Sequence, residues 1–273
     1  GTVLQTPTRA GRDMGAVALE TKNLSAKSPG AFGTSLKNIS FAVQAGEILG
    51  LGGVAGNGQD ELIDVLSGEV RTRASVITLN GENIGDLGPN DRRARGLCAA
   101  PEERLGHAAA PDMSLTDNTV VSARRRAQLT RGGFIKHGAA ANYARKVVEA
   151  FGVKTASVDS SAKSLSGGNL QKFVVGREIL QKPDVFIVSQ PTWGVDAGAA
   201  EIIRGAIRDL AREGAAVLVI SQDLDELMEI SDRFAALNEG RLSTPRETAV
   251  LSVDEIGLMM GGAHDMEVAH VDV

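Results

Sequence analysis

Glu47-Ile48-Leu49-Gly50-Leu51 is a short apolar run that breaks into the glycine-rich turn Gly53-Val54-Ala55-Gly56-Asn57-Gly58-Gln59-Asp60, and residues 61–66 then take up helical spacing. A buried strand, a glycine turn and a helix in that order let backbone N–H groups converge on an anion at the helix N-terminus. Working outward, residues 17–23 and 36–43 alternate like half-buried strands, with a turn at 30–33 between them. Residues 75–79 read as another strand closed by Asn80-Gly81, and 91–95 as a helix. On the other side, residues 142–151, 170–180, 199–212, 223–230 and 252–260 carry helical spacing. Between them lie short apolar strands at 185–188, 216–220 and 234–237. Short buried strands alternating with helices predict an α/β domain with a largely parallel core, and the early alternating strands predict an antiparallel part. The stretch 104–138 is rich in glycine, alanine and arginine and predicts helices and loops rather than sheet.

The turn follows the spacing of a phosphate-binding loop, G-x-x-x-x-G-K-[ST], at Gly53 and Gly58, with Gly56 adding freedom. Two positions depart. Gln59 stands where a lysine reaches the β- and γ-phosphates, and Asp60 where a hydroxyl binds Mg2+. A cation about 4 Å from a phosphate oxygen gains roughly 4 kcal/mol at an effective dielectric of 20. The helix dipole returns only about 0.3–1 kcal/mol. Triphosphate binding at this loop is therefore expected to be weakened or altered. The plain alternative is a tight turn in which Asp60 caps its own helix.

Composition bounds the rest. The chain has 273 residues, 42% hydrophobic and 23% charged, with a net charge of −5. That is a globular balance with apolar material for one sizeable core, and it argues against a whole-surface nucleic-acid binder. Aromatics are only 3%, which disfavours base-stacking platforms. The single cysteine, Cys98, excludes an internal disulfide and is expected to be buried packing. No apolar run reaches the length of a membrane span, and residues 1–15 show no secretory signal, so a cytoplasmic location is the default. The opening reads as a linker, and the chain as a fragment of something longer.

Leu165-Ser166-Gly167-Gly168-Asn169-Leu170-Gln171-Lys172 opens a helix with a second glycine-rich anion site. This stretch resembles the L-S-G-G-[QN]-x-Q-[KR] signature of the ATP-binding-cassette (ABC) family. About 24 residues on, Val185-Phe186-Ile187-Val188-Ser189-Gln190-Pro191-Thr192 resembles the family's apolar strand followed by Asp-Glu-Pro-Thr. Ser189 replaces the aspartate that helps hold Mg2+, and Gln190 the glutamate that polarises the attacking water. Gly194-Val195-Asp196 resembles the family's D-loop, and Glu102, in Pro101-Glu102-Glu103-Arg104, falls at the Q-loop position. In Leu218-Val219-Ile220-Ser221-Gln222-Asp223, Gln222 stands where the family's histidine senses the γ-phosphate. Together with Ile256-Gly257-Leu258-Met259-Met260-Gly261-Gly262, these motifs are similar to the second, degenerate cassette of tandem-cassette ATPases serving simple-sugar and nucleoside importers.

The resemblance implies a P-loop NTPase-like fold: a RecA-like parallel-sheet core, an antiparallel β subdomain and a helical lobe over about 104–178. It implies a linker at 1–16, a cassette at 17–242 and a C-terminal helix and tail at 243–273. It implies an ATP-binding component of an importer, with ATP and Mg2+ handled in the assembled transporter. The implied partners are a second cassette, N-terminal on the same polypeptide, and membrane permease subunits, with no nucleic acid. The implied place is the cytoplasmic face of the membrane. In such head-to-tail pairs, Leu165, Ser166, Gly167, Gly168 and Asn169 serve the partner's ATP. The chain's own site would comprise Gly53, Gly56, Asn57, Gly58, Gln59 and Asp60, with Gln190 and Gln222 at the degenerate catalytic positions, Asp196 in the D-loop, and Asp60 or Ser189 toward a metal. The competing classes are an ABC protein acting outside transport and a regulatory cassette that binds no nucleotide. Trp193 reads equally as a partner contact or a turn aromatic. Arg124-Arg125-Arg126 reads as a solvated face or a membrane-subunit contact, and Phe32 as core or an adenine stack. His107, His137, His264 and His270 lie outside every motif and receive no catalytic or metal role.

Overall fold

The computed structural model describes residues 14–28, 30 and 33–262. The first two strands, β1 (Val17–Ala26) and β2 (Leu36–Gln44), alternate buried and exposed positions as the sequence predicts. They pair antiparallel, with Leu19 opposite Val43 and Leu24 opposite Ile39. β3 (Ile48–Gly52) is buried along its whole length and leads into α1 (Gln59–Ser67). Short strands β4 (Ile77–Leu79) and β5 (Glu82–Asn83) follow. α2 (Pro89–Ala94) starts on a proline, whose missing N–H costs nothing in a first turn, and precedes β6 (Leu97–Ala100).

The middle of the chain holds α3 (Leu115–Ala123), capped by the Ser114 hydroxyl, which accepts from the Asp117 N–H at 3.0 Å. A hairpin of β7 (Thr130–Arg131) and β8 (Phe134–Ile135) comes next, then α4 (His137–Ala150) and α5 (Gly167–Ile179). The expectation of helices and loops alone over 104–138 is corrected by this hairpin. Gly132 and Gly133 both take positive φ and allow the two-residue turn. α4 also begins five residues before the sequence expectation, because its opening His137 and Gly138 are exposed and carry no apolar signal. The chain closes with β9 (Val185–Ser189), α6 (Ala197–Arg212), β10 (Ala216–Ile220), α7 (Leu224–Ile230), β11 (Arg233–Asn238), β12 (Arg241–Leu242), β13 (Arg246–Glu247) and α8 (Val253–Met260).

The central sheet runs β12-β11-β3-β10-β9-β6, with β13 on β11. β11, β3, β10, β9 and β6 are mutually parallel, while β12 and β13 are antiparallel to β11. The antiparallel sheet runs β2-β1-β4-β5. Successive residues of each central strand enter different cores. Ile48, Phe186, Val188, Val217 and Val219 pack toward α5, α6, α7 and α8. Leu49, Val185, Ile187, Leu218 and Ile220 pack toward α1 and the antiparallel sheet. A parallel strand covered on both faces must read as an unbroken apolar run, which is why 185–188 and 216–220 were legible.

One buried cation stitches α1 to its surroundings. Arg92 is fully buried and donates to the carbonyls of Val65 (2.6 Å), Leu66 (2.8 Å), Gly85 (2.9 Å) and Leu87 (3.0 Å). It thereby satisfies carbonyls at the C-terminus of α1 that have no intrahelical donor. Burial lowers its pKa to about 10, so it keeps its charge at neutral pH.

Candidate functional site

The glycine turn wraps the N-terminus of α1 as the sequence predicts, but it is filled from within. Gly56 and Gly58 take φ of 83° and 111°, so neither position tolerates a side chain without strain. A Cβ at Gly53 would lie 2.5 Å from Gln59 Nε2 and 2.6 Å from the Leu237 carbonyl. The Gln59 side chain is buried and folds back over the loop. Its Oε1 accepts from the Asn57 N–H at 3.0 Å, and its Nε2 donates to the Val54 carbonyl at 2.9 Å. Outside the loop, Thr34 Oγ1 donates to the Gly56 carbonyl at 2.6 Å, and Asn57 Oδ1 accepts from the Glu239 N–H at 2.8 Å. Asp60 does not cap α1. The N-cap is Gly58, with no side-chain cap bond, and Asp60 sits within the first turn.

Electrostatics at the loop oppose an anion. Burial, then Glu61, raise the Asp60 pKa, and His107 partly offsets them. Burial, then Asp60, raise that of Glu102, with Arg104 opposing. A Mg2+-bound nucleoside triphosphate is a poor fit to these residues. The Asn57 N–H is already paired, position 59 brings no cation, and Asp60 and Glu102 bring negative charge to one place. Of the two residues the sequence set toward a metal, Asp60 lies in the first turn of α1 and Ser189 is buried at the end of β9.

A carboxyl whose folded-state pKa is raised costs stability when ionised, and that cost is fully present above the folded pKa. Asp60→Asn is therefore expected to stabilise the chain at pH 8. The gain shrinks as pH falls through the raised pKa, where the native carboxyl is already neutral. Urea midpoints of both proteins at pH 8 and pH 3, the second below the ordinary aspartate range, check this, and an equal or inverted difference at the two pH values would contradict it.

The ends of β9 and β10 bring Gln190 and Gln222 together. Gln190 is buried in the left-handed region at φ 49°, a conformation that costs a residue with a side chain about 1–2 kcal/mol. Its N–H donates to the Ile220 carbonyl at 2.7 Å. Its Oε1 accepts from the Gln222 N–H at 3.3 Å and the Ser221 hydroxyl at 3.4 Å. A carboxamide has no basic lone pair to take a proton from water at neutral pH, so neither Gln190 nor Gln222 can act as a general base. Behind them lies a residue that the sequence reading missed. Glu226 is buried and accepts from Thr192 Oγ1 at 2.7 Å and Ser221 Oγ at 2.9 Å. Burial raises its pKa despite those two hydroxyls. Nothing in its local pattern separates it from a solvated helix acid, because its burial is set by β9 and β10.

The second glycine stretch is open. Ser166 is the N-cap of α5, yet its hydroxyl makes no backbone cap bond. Instead it accepts from Asn169 Nδ2 at 2.9 Å, while Asn169 Oδ1 accepts from the Lys154 N–H at 2.8 Å. Ser166 and Gly167 are exposed, and Leu165, Gly168 and Asn169 are half-buried. Backbone N–H groups of a helix first turn, flanked by a hydroxyl whose own proton is not committed to a backbone carbonyl, are a suitable surface for an approaching phosphate. Asp196 caps α6, accepting from the Ala199 N–H at 2.9 Å. Glu102 is half-buried near Asp60 and Arg104.

Of the remaining candidates, Trp193 is 66% exposed on the turn after β9. Arg124 and Arg125 are exposed, the latter 3.3 Å from Asp91. Arg126 departs from the solvated-face reading by donating to the Gln181 and Lys182 carbonyls at 3.2 and 2.6 Å. Cys98 is buried as expected, and burial pushes its thiol up to about 12. His107 Nε2 lies 2.8 Å from Glu69 Oε1, within reach of Asp64. Phe32, His264 and His270 lie outside the described residues.

The parallel core, antiparallel sheet, phosphate-type loop and glycine-rich start of α5 together define an ATP-binding cassette. The family model described as ABC transporter matches residues 36–193, and the chain belongs to that family. It is 35% identical over 233 residues to the guanosine import ATP-binding protein NupO of Bacillus subtilis, covering 85% of this chain and 46% of that one. It is 36% identical over 256 residues to the glucose import ATP-binding protein TsgD13 of Haloferax volcanii, covering 92% and 46%. The chain thus spans about half the length of the curated relatives it matches. Among solved structures, an ATP binding subunit of an ABC transporter superposes with a TM-score of 0.72 at 22% identity, covering 89% of this chain and 99% of that one. The cassette MJ0796 bound to ADP and Pi superposes at 0.69 and 17%, covering 84% and 98%. At these identities the likeness shows the fold. Among the described residues, no helix is long and apolar enough to cross a membrane.

Proposed function

We propose that this chain is the second nucleotide-binding cassette of a tandem-cassette ATPase that drives a sugar or nucleoside importer from the cytoplasmic face of the membrane. Residues 17–242 form the cassette proper, with a helical lobe at about 104–178 and a C-terminal extension from 243. Its partners are a companion cassette and membrane permease subunits. The observation that carries this reading is an asymmetry. Gln59 fills the chain's own phosphate loop, and Ser189, Gln190 and Gln222 leave it without a metal-binding carboxylate, a base or a histidine. The glycine-rich start of α5 is open, with the hydroxyl of its N-cap Ser166 free of backbone capping. The chain offers Ser166, Gly167, Gly168 and Asn169 to an ATP held with Mg2+ by the companion, and its own loop is silent. The relatives that serve guanosine, glucose and arabinose import support the substrate class.

The test compares ATP hydrolysis by the purified chain, by the chain with its companion cassette and permease, and by Gln59→Lys. The isolated chain is expected to fall on the order of 10²–10⁴-fold below the assembly, the usual contribution of a general base. Gln59→Lys alone should not restore turnover, because Gln190 and Gln222 remain. Turnover of several per second by the isolated chain would overturn the reading. So would an assembly whose hydrolysis is unchanged when this chain's α5 start is altered.

A further inference from the structure

We propose that Arg104 is the positioning residue of the open phosphate face, fastening the start of α5 to the loop after β9. The inference rests on the proposed role of Ser166, Gly167 and Gly168 toward the companion's ATP. Arg104 is half-buried in the loop after β6 and far in sequence from both segments it touches. Its Nε donates to Gln171 Oε1 on α5 at 2.9 Å, and its Nη2 donates to the Trp193 carbonyl. Gln171, itself buried, passes the link on by donating Nε2 to the Pro191 carbonyl at 3.0 Å. The remaining guanidinium nitrogen, Nη1, carries no hydrogen bond among the described residues. It lies 3.0 Å from where a Cβ of Gly167 would be.

The two glycines that border Arg104 are consistent with this packing. A Cβ at Gly167 would press on Nη1, and one at Gly194, where φ is 64°, would sit 3.6 Å from Nη2. The Arg104 loop is held in turn from its own backbone. The Ala109 N–H donates to the Arg104 carbonyl at 2.8 Å, and the Ala108 N–H to that of Glu103 at 3.0 Å. A planar guanidinium presents its donors as a rigid fork from separate nitrogens, whereas an ammonium is a compact point charge on a flexible stem. Arg104 therefore sets the start of α5 and the Trp193-Gly194-Val195-Asp196 loop as one rigid face. Without it, Gln171 Oε1 loses its donor, the tie to the Trp193 carbonyl is gone, and the Gln171–Pro191 hydrogen bond is left to hold the two segments.

The experiment uses the assembled transporter carrying Arg104→Met, Arg104→Lys or Ser166→Asp in this chain. Arg104→Met is expected to lower kcat for ATP about 10- to 100-fold, with KM changed by less than about threefold, because the companion's own loop binds the nucleotide first. That split is the signature of an interaction made only on reaching the transition state. Arg104→Lys should recover part of kcat, since one of the two acceptors is regained. Amide hydrogen exchange should quicken together at 166–169 and 193–196 in Arg104→Met and remain as in the parent elsewhere. A general loss of stability would instead quicken exchange throughout, and that result would overturn the proposal. Unchanged kcat in Arg104→Met, alongside a collapse of hydrolysis in Ser166→Asp, would overturn the positioning role alone. Unchanged hydrolysis in Ser166→Asp would overturn the proposed function and the positioning role with it.

Discussion

Ser166→Asp is expected to lower ATP hydrolysis by the companion cassette about 10²- to 10³-fold while leaving this chain as stable as before or slightly more so. The two effects separate because they have different physical sources. As an N-cap, aspartate ranks with serine, and its charge interacts favourably with the helix dipole, by about 0.3–1 kcal/mol. Position 166 is exposed, so no packing is lost. The same charge is set against a phosphate. A unit charge about 4 Å from a phosphate oxygen costs roughly 4 kcal/mol at an effective dielectric of 20, close to a thousandfold in rate. Steady-state hydrolysis by the assembly, with a thermal melt of the isolated chain, reads both. A variant that melts early, or one that keeps full hydrolysis, would contradict the proposed geometry.

Glu178→Ala is expected to destabilise the chain by about 3–5 kcal/mol, a large share of the usual 5–15 kcal/mol of a folded domain. Glu178 is fully buried on α5 and paired with Arg93 and Arg177, the latter at 2.8 Å. Gln181 Nε2 adds a hydrogen bond at 2.9 Å. Arg177 is also buried and donates to the Asn118 and Ala108 carbonyls at 3.0 and 2.8 Å, while Arg93 donates to the Ala99 carbonyl at 3.0 Å. The cluster ties α3 and α5 to β6, the strand beside β9. Removing the carboxylate leaves two cations in an apolar interior without their counter-charge.

Burial pushes the Glu178 carboxyl up, but Arg93 and then Arg177 outweigh it and hold the group below the ordinary range. Its contribution is therefore present above the unfolded carboxylate pKa of about 4.3 and is lost as pH falls through the lower folded value. Urea unfolding of both proteins at pH 7 and pH 3 should show a large difference at the first pH and a smaller one at the second. A loss under 1 kcal/mol at pH 7 would show that the interior relaxes around the bare cations.

The phosphate-type loop, the open start of α5 and the alternation of strands and helices were all legible in the residues. Each is local. A glycine-rich turn between an apolar run and a helical stripe needs only neighbours in sequence, and the positive φ at Gly56 and Gly58 is a property of those residues themselves. Unbroken apolar runs such as 185–188 declare strands covered on both faces, because no alternation survives double burial. That glutamines stand at 59, 190 and 222 is likewise a matter of residue type and needs no fold to be seen.

Tertiary structure alone decided how those departures are accommodated. Gln59 could have pointed at solvent. The backbone of its own loop, closed against the turn after β11 through Asn57, turns the carboxamide inward. Glu226 reads as an ordinary helix acid until β9 and β10 bring Thr192 and Ser221 to it. Arg104 reads as one arginine in a loose segment until the fold sets it between Gln171 and Trp193, 67 and 89 residues away. Gln59 takes partners from its own loop, but the loop's closure is set by a distant turn. For Glu226 and Arg104 the partner is fixed by which segment the fold brings beside the side chain, and hydrogen-bond capacity, unlike hydrophobic periodicity, leaves no pattern along the chain to say which that will be.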